Sequence, residues 1–176
     1  MIAAVLFGAG VVTGAVLYGH RTHEPAVHHA GTAAWPIHLV LTALAGLVLV
    51  SLARRGRLGS ALWAPLGTSA AARVRLTSRE ALHRPSATLR TLCAAPFAAL
   101  FLYGFWRAGV QVVAGLDPQF TVDAWGGPSY LGAMYCHYLD GALMMAAAAV
   151  ALDRLLLREH GLAPTRQVRA ATSNRG

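Results

Sequence analysis

The chain has 176 residues, of which 56% are hydrophobic and only 12% are charged, and its mean hydropathy is +0.49. Soluble domains carry about a quarter charged residues, so this composition excludes an ordinary soluble domain and favours a membrane protein. The net charge of +8 comes largely from arginines between the apolar runs, which leaves no polar domain to bind nucleic acid.

Four apolar segments are long enough to cross a bilayer as helices, since about 20 residues span the hydrocarbon core. Because such segments must satisfy their backbone polar groups internally, we predict an all-α membrane protein, a four-transmembrane-helix bundle. The predicted spans are residues 1–19, 35–53, 91–115 and 130–157. They form a single membrane domain, residues 1–162, and a disordered tail follows, residues 163–176.

The first segment, MIAAVLFGAGVVTGAVLYG, is predicted to be a retained helix. It does not resemble a cleaved signal peptide, because it has no positively charged start and no small-residue cleavage site follows closely. Gly10 and Gly14 are spaced four residues apart, which favours the close approach of a second helix in lipid.

A histidine-rich stretch, RTHEPAVHHAGTAAWPIH, joins the first two spans. Imidazole and carboxylate groups suit divalent transition metals. The candidate ligands are His20, His23, Glu24, His28, His29 and His38. The zinc-protease motif HExxH is not formed, because Val27 stands where the second histidine is needed and Pro25 disfavours a helix interior. A solvated loop without a specific ligand is the preferred interpretation, and loose metal binding or pH sensing is the alternative.

The arginines set the predicted orientation. Residues 54–90 contain eight arginines and one acid, and five more arginines follow residue 153, whereas residues 20–34 have one arginine and residues 116–129 have none. Arginine-rich short loops stay in the cytoplasm, so both termini and the basic loop 54–90 are predicted to be cytoplasmic. The alanine, glycine and arginine bias suggests a bacterial genome, hence a multi-pass protein of the bacterial cytoplasmic membrane.

Within the basic loop, Thr77 and Glu80 have the spacing of a capping box. This spacing predicts a short helix that starts after Thr77 and stops at Pro85. Ser86 is then the expected cap of the third span, and Pro96 is expected to kink that span.

The last two spans carry ionisable residues, Arg107, His137 and Asp140. At 1.5 Å per residue, Arg107 and His137 lie at the same depth, about 10 Å from the outer ends of their helices, and Asp140 lies about one turn deeper. An unpaired charge at the bilayer centre costs about 3 kcal/mol. We therefore expect an Arg107–Asp140 ion pair, with His137 hydrogen-bonded to one of the two.

This cluster has two interpretations of equal standing. It is either a structural contact that sets the register of two helices, or a site for a proton or a polar ligand. Candidate pocket residues nearby are Tyr103, Trp106, Tyr135 and Tyr138, although an interfacial aromatic belt explains them nearly as well. Cys93 and Cys136 are expected at opposite depths, too far apart for a disulfide.

Nothing in the chain resembles a nucleophile–base pair, a phosphate-binding loop or a soluble substrate domain, which argues against an enzyme. The leading hypothesis is a non-catalytic accessory or assembly subunit, whose partners are the lipid bilayer and other membrane subunits or a second copy. The alternative is a membrane redox or proton-handling subunit that binds quinone, haem or a divalent metal near the outer leaflet, and a small transporter comes third. His38 and His137 are the candidate haem ligands, although their predicted depths differ by several ångströms.

Overall fold

The computed structural model describes residues 1–157, and the predicted disordered tail, residues 163–176, lies outside them. The described residues form helices and connecting segments, without a β-strand. In chain order the α-helices are α1 (Ile2–Gly19), α2 (Trp35–Arg54), α3 (Leu58–Trp63), α4 (Thr68–Ala81), α5 (Pro85–Ala114), α6 (Pro118–Thr121) and α7 (Tyr130–Leu155), with a single 3-10 turn, Ala64–Leu66, between α3 and α4.

Four of these helices, α1, α2, α5 and α7, are long and apolar enough to cross a membrane. The prediction of an all-helical chain with four candidate spans is therefore confirmed. Helices α1, α2 and α7 begin and end within two residues of the predicted bounds. Helix α5 starts six residues earlier than predicted, because Pro85 opens its first turn, where proline is favoured.

Two predictions about the basic loop are wrong. Helix α4 begins nine residues before Thr77, so Thr77 lies inside the helix, where its hydroxyl donates to the Arg73 carbonyl oxygen at 2.8 Å. A threonine that bonds back to the carbonyl four residues earlier is compatible with a helix interior. Ser86 does not cap α5, because Arg84 occupies the N-cap position and makes no side-chain capping bond.

Helices α1 and α5 pack closely through glycines. A Cβ atom added to Gly10 would collide with the Trp106 carbonyl oxygen, and one added to Gly14 would collide with that of Val110. Gly109 of α5 is enclosed in the same way by the backbone of α1. The close approach expected from the Gly10–Gly14 spacing is thus present, and α5 is its partner.

Helices α5 and α7 are antiparallel neighbours. The Tyr130 hydroxyl donates to the Val112 carbonyl oxygen at 3.2 Å, and the Tyr138 hydroxyl donates to that of Ala108 at 3.2 Å. Residues that come later in α7 therefore lie opposite residues that come earlier in α5. This places His137 close to the level of Arg107, as the rise per residue predicts.

One end of the helices is closed by the two connecting segments, residues 20–34 and 116–129. The His28 ring nitrogen Nδ1 donates to the Val122 carbonyl oxygen at 2.7 Å, and the Ala34 backbone N–H donates to that of Trp125 at 2.7 Å. These bonds join the start of α2 to the segment that precedes α7.

The opposite end is closed by α4, which packs against α5. Arg73 of α4 reaches the C-terminus of α7, where its guanidinium donates to the Asp153 carboxylate at 2.5 Å and to the carbonyl oxygens of Leu156 at 3.0 Å and Leu157 at 3.3 Å. A cation is favourable there, because the last carbonyls of a helix lack partners and carry partial negative charge. Part of the basic loop is therefore ordered as a cap on the fourth long helix.

Candidate functional site

The central polar contact joins His38 of α2 to Asp140 of α7. The His38 ring nitrogen Nε2 lies 3.2 Å from Asp140 Oδ2, and the His38 side chain is only 2% exposed, against 23% for Asp140. The other ring nitrogen, Nδ1, lies 2.7 Å from the Ala34 carbonyl oxygen. Both nitrogens of His38 therefore have a hydrogen-bond partner.

The two partners of His38 determine where its protons lie. A carbonyl oxygen only accepts hydrogen bonds, so Nδ1 must carry a hydrogen. A hydrogen bond between Nε2 and a carboxyl oxygen then requires one further proton, on His38 as an imidazolium or on Asp140 as a carboxylic acid. The Nε2–Oδ2 contact is thus a hydrogen bond only in the form of the pair that holds one proton more than a neutral histidine beside a carboxylate.

Aromatic side chains enclose the pair on the α2 side. The rings of His38 and Trp125 lie 5.7 Å apart, and those of Trp35 and Tyr135 are stacked at 5.8 Å. The Tyr135 hydroxyl contacts the Thr42 hydroxyl. Trp35, His38 and Thr42 all lie in the first half of α2, so this half attaches the helix to α7.

The expected Arg107–Asp140 ion pair is not formed. Among residues 1–157 the ion-pair partner of Asp140 is His38, while the Arg107 guanidinium lies over the Phe120 ring, 5.2 Å from its centroid. Depths counted from helix starts assume that all helices begin at one level, and on that count His38 lies about 10 Å from the level of Asp140 and is not expected as its partner. His38 is three residues into α2 and Asp140 is ten into α7, so contact between them requires the two starts to be staggered by about 10 Å.

A cavity of about 660 Å³ lies beside this pair, between α5 and α7. It brings together the three predicted cluster residues, since Arg107, His137 and Asp140 all line it. Of the four predicted pocket aromatics, Tyr103 and Tyr138 line the cavity. Trp106 and Tyr135 do not lie on its wall; Trp106 packs against Tyr103 with ring centroids 5.5 Å apart.

Gln111 is a cavity residue that sequence analysis missed. The residue is only 4% exposed and lies on the cavity wall, one helical turn beyond Arg107. No side-chain nitrogen or oxygen that is fully buried within residues 1–157 lacks a partner. The Gln111 amide makes no hydrogen bond with these residues, so its polar atoms must lie at the cavity surface. The available signal was the i, i+4 spacing of Arg107 and Gln111 in an otherwise apolar stretch.

The histidines between α1 and α2 contact different partners. His29 donates to Asp123 twice, from its backbone N–H to Oδ1 at 2.9 Å and from Nδ1 to Oδ2 at 2.7 Å, and His28 Nδ1 lies 3.4 Å from Oδ1. These hydrogen bonds, the backbone N–H of His29 first, lower the pKa of Asp123 below its usual value of 3.8. Asp123 also lines the cavity, so the histidine segment reaches the cavity through it.

Within residues 1–157 no three histidine, cysteine or acidic side chains are grouped so as to hold a metal ion. The candidate ligand His20 instead contacts the Val16 carbonyl oxygen through Nδ1 at 2.8 Å. For haem, the nitrogen of His38 that would ligate iron is Nε2, which faces Asp140. Cys93 is exposed and Cys136 is buried, and both are free thiols.

No protein-family model, curated protein or solved structure matches the chain.

Proposed function

We propose that this chain is a proton-handling subunit of the bacterial cytoplasmic membrane, with α1, α2, α5 and α7 as its spans. The observation that carries the proposal is the His38–Asp140 pair, whose Nε2–Oδ2 hydrogen bond depends on a single exchangeable proton. Asp140 is partly exposed and lines the cavity. A proton on the pair can therefore be passed to water or to a ligand in that cavity without unfolding the protein.

The orientation follows from charge. The segment between α2 and α5 and the residues after α7 carry most of the arginines, and arginine-rich loops stay cytoplasmic. In this orientation the cavity and the two connecting segments near it belong to the outer half of the membrane. The Arg73 cap on α7 then lies on the cytoplasmic side.

The test is to replace Asp140 with asparagine. Asp140→Asn keeps a hydrogen-bonding side chain of the same size, and its amide can donate to His38 Nε2, but it cannot titrate. Infrared difference spectra between acid and alkaline pH should show a carboxyl band in the wild type that is missing from the variant. Asp117→Asn is the matched control, because Asp117 caps α6 and asparagine caps helices equally well.

Spectra that are identical for the wild type and Asp140→Asn would refute proton exchange at this pair. The second candidate function, a non-catalytic assembly subunit, would then be favoured. One observation supports that alternative: α2 is attached to α7 through its first half, and the His38–Asp140 contact is part of the attachment. If the contact is purely structural, Asp140→Leu should release α2 or a partner subunit, while Asp140→Asn should assemble normally.

A further inference from the structure

The cavity beside the His38–Asp140 pair is lined by charged groups of both signs, and only some of them are in direct contact with a partner. Two carboxylates line the cavity, those of Asp140 and Asp123. Asp140 is paired with His38, and Asp123 is paired with His29. Arg107 also lines the cavity, and within residues 1–157 its guanidinium makes no hydrogen bond or ion pair. The guanidinium lies over the face of the Phe120 ring. The cavity therefore contains a guanidinium that no carboxylate within residues 1–157 contacts directly.

Two further polar side chains on the cavity wall also lack partners. Gln111 is almost fully buried, and neither it nor His137 hydrogen-bonds to any residue in 1–157. No fully buried side-chain nitrogen or oxygen within residues 1–157 lacks a partner, so the polar atoms of these two side chains face the cavity, where a ligand can supply the hydrogen-bond partners that polar groups normally have. Three unpaired hydrogen-bonding groups that meet in one cavity indicate a ligand with several acceptor atoms.

The cavity is polar at one end and apolar at the other. Along α5 its wall runs from Leu100 to Gln111, about 16 Å at the helical rise. Arg107 and Gln111 occupy the end near the connecting segments, whereas Leu100, Gly104 and Met145 form the other end. Such a gradient fits a molecule with a charged head and a hydrocarbon chain.

The cavity also opens toward the region that lipid would occupy. Two of its lining side chains, Tyr103 and Met144, are about half exposed, and both lie within the candidate spans α5 and α7. A hydrocarbon chain can therefore leave the cavity between these helices without crossing a polar surface.

We propose that the cavity binds a single-chain amphiphile with an oxyanion head group, whose charge pairs with Arg107 and whose oxygens accept hydrogen bonds from Gln111. A guanidinium suits this role because its donors match the paired oxygens of a carboxylate or a phosphate. The inference rests on the membrane location in the proposed function and does not depend on proton exchange. Carboxylate and phosphate heads share the chemistry, and the experiment separates them.

The experiment measures binding of radiolabelled dodecanoate to the full chain in nanodiscs of zwitterionic lipid, with empty nanodiscs as the background. We expect saturable binding with one site per chain. Arg107→Gln should weaken it about tenfold or more, and Gln111→Leu should weaken it about fivefold. Arg90→Gln is the matched control, since Arg90 lies on the same helix but contacts the Leu155 carbonyl oxygen at the opposite end.

Competition identifies the head group. Displacement by unlabelled dodecyl phosphate as well as dodecanoate assigns a general oxyanion site, and displacement by dodecanoate alone assigns a carboxylate site. Equal displacement by dodecanol, or binding that Arg107→Gln leaves unchanged in a variant with normal thermal unfolding, would overturn the proposal. Absence of saturable dodecanoate binding would overturn it as well.

The binding experiment and the infrared test of proton exchange can succeed or fail independently of each other. Saturable binding in a protein whose Asp140 does not titrate would retain the amphiphile site and reject proton handling. A titrating Asp140 in a protein that binds no amphiphile would do the reverse.

Discussion

His38 has a fixed tautomer because its Nδ1 lies 2.7 Å from the Ala34 carbonyl oxygen within the first turn of α2. Only Nε2 is left to respond to Asp140. Removing either member of a buried polar pair leaves the other without a partner, which costs more than the pair itself contributes. The two residues therefore act as one unit, and variants are informative only when they preserve the hydrogen bond.

Asp123 offers a pH-dependent test at the scale of one residue. Hydrogen bonds from His29 lower its folded-state pKa below 3.8, so the folded state favours the ionised carboxylate. The ionised Asp123 carboxylate therefore stabilises the contact between the two connecting segments fully above pH 3.8. This stabilisation is lost as the pH falls through the lowered folded-state pKa of Asp123. We expect the protection factor of the His29 amide in hydrogen exchange to fall over that range.

Asp123→Asn should lower the protection of the His29 amide already at neutral pH and remove its acid dependence, because the asparagine side chain carries no charge. Asp117→Asn serves as the control and should leave the His29 amide unchanged. An acid dependence that persists in Asp123→Asn would show that another group controls the segment.

At the scale of elements, the four long helices differ in how they are held. Helix α1 lies against α5 with backbones in close contact at Gly10, Gly14 and Gly109. Helix α7 is held by tyrosine hydroxyls that bond to α5 carbonyls and by Arg73 at its C-terminus. Helix α2 is held mainly by the polar and aromatic side chains of its first half, so its attachment is the most sensitive to changes at His38 and Asp140.

The glycine contact predicts a difference between two neighbouring positions of α1. Gly10→Ala places a Cβ against the Trp106 carbonyl oxygen, and overpacking of this kind costs about 1–3 kcal/mol. Gly8→Ala meets nothing within 4 Å, and alanine favours a helix by about 0.5–1 kcal/mol over glycine. Unfolding of the two variants in detergent micelles, followed by circular dichroism, measures both effects. Equal stability of the two variants would contradict the packing of α1 on α5.

At the scale of the whole molecule, the helices place the polar segments at two opposite ends. Residues 20–34 and 116–129 meet at one end through hydrogen bonds, and α4 covers the other end of α5 and α7. This is the arrangement that four consecutive membrane crossings require. The excess of arginine in and after the basic loop then predicts which end faces the cytoplasm.

Cysteine labelling of intact bacterial cells tests that orientation. In a Cys93→Ala background, in which the remaining Cys136 is buried, Ala33→Cys should react with a membrane-impermeant thiol reagent added outside. Ser60→Cys should react only after the cells are permeabilised, and the background protein should not react at all. Labelling of Ser60→Cys alone in intact cells would reverse the orientation, and labelling of both would refute the membrane crossings between them.

The sequence by itself determined the four apolar helices, with their bounds to within six residues, and the grouping of Arg107, His137 and Asp140. These features depend on local periodicity, on hydropathy and on the rise of a helix, which are properties of contiguous residues. Arg107, His137 and Asp140 could be placed together because they lie on consecutive spans joined by a short segment.

The tertiary structure alone decided that Asp140 pairs with His38, that Arg107 contacts no carboxylate within residues 1–157, and that Gln111 faces the same cavity. These outcomes depend on how far α2 is shifted along α7 and on how residues 116–129 fold back over the helix ends. Neither quantity is encoded in the composition of a single segment. Both follow from contacts between parts of the chain about a hundred residues apart, such as His29 with Asp123 and His38 with Asp140.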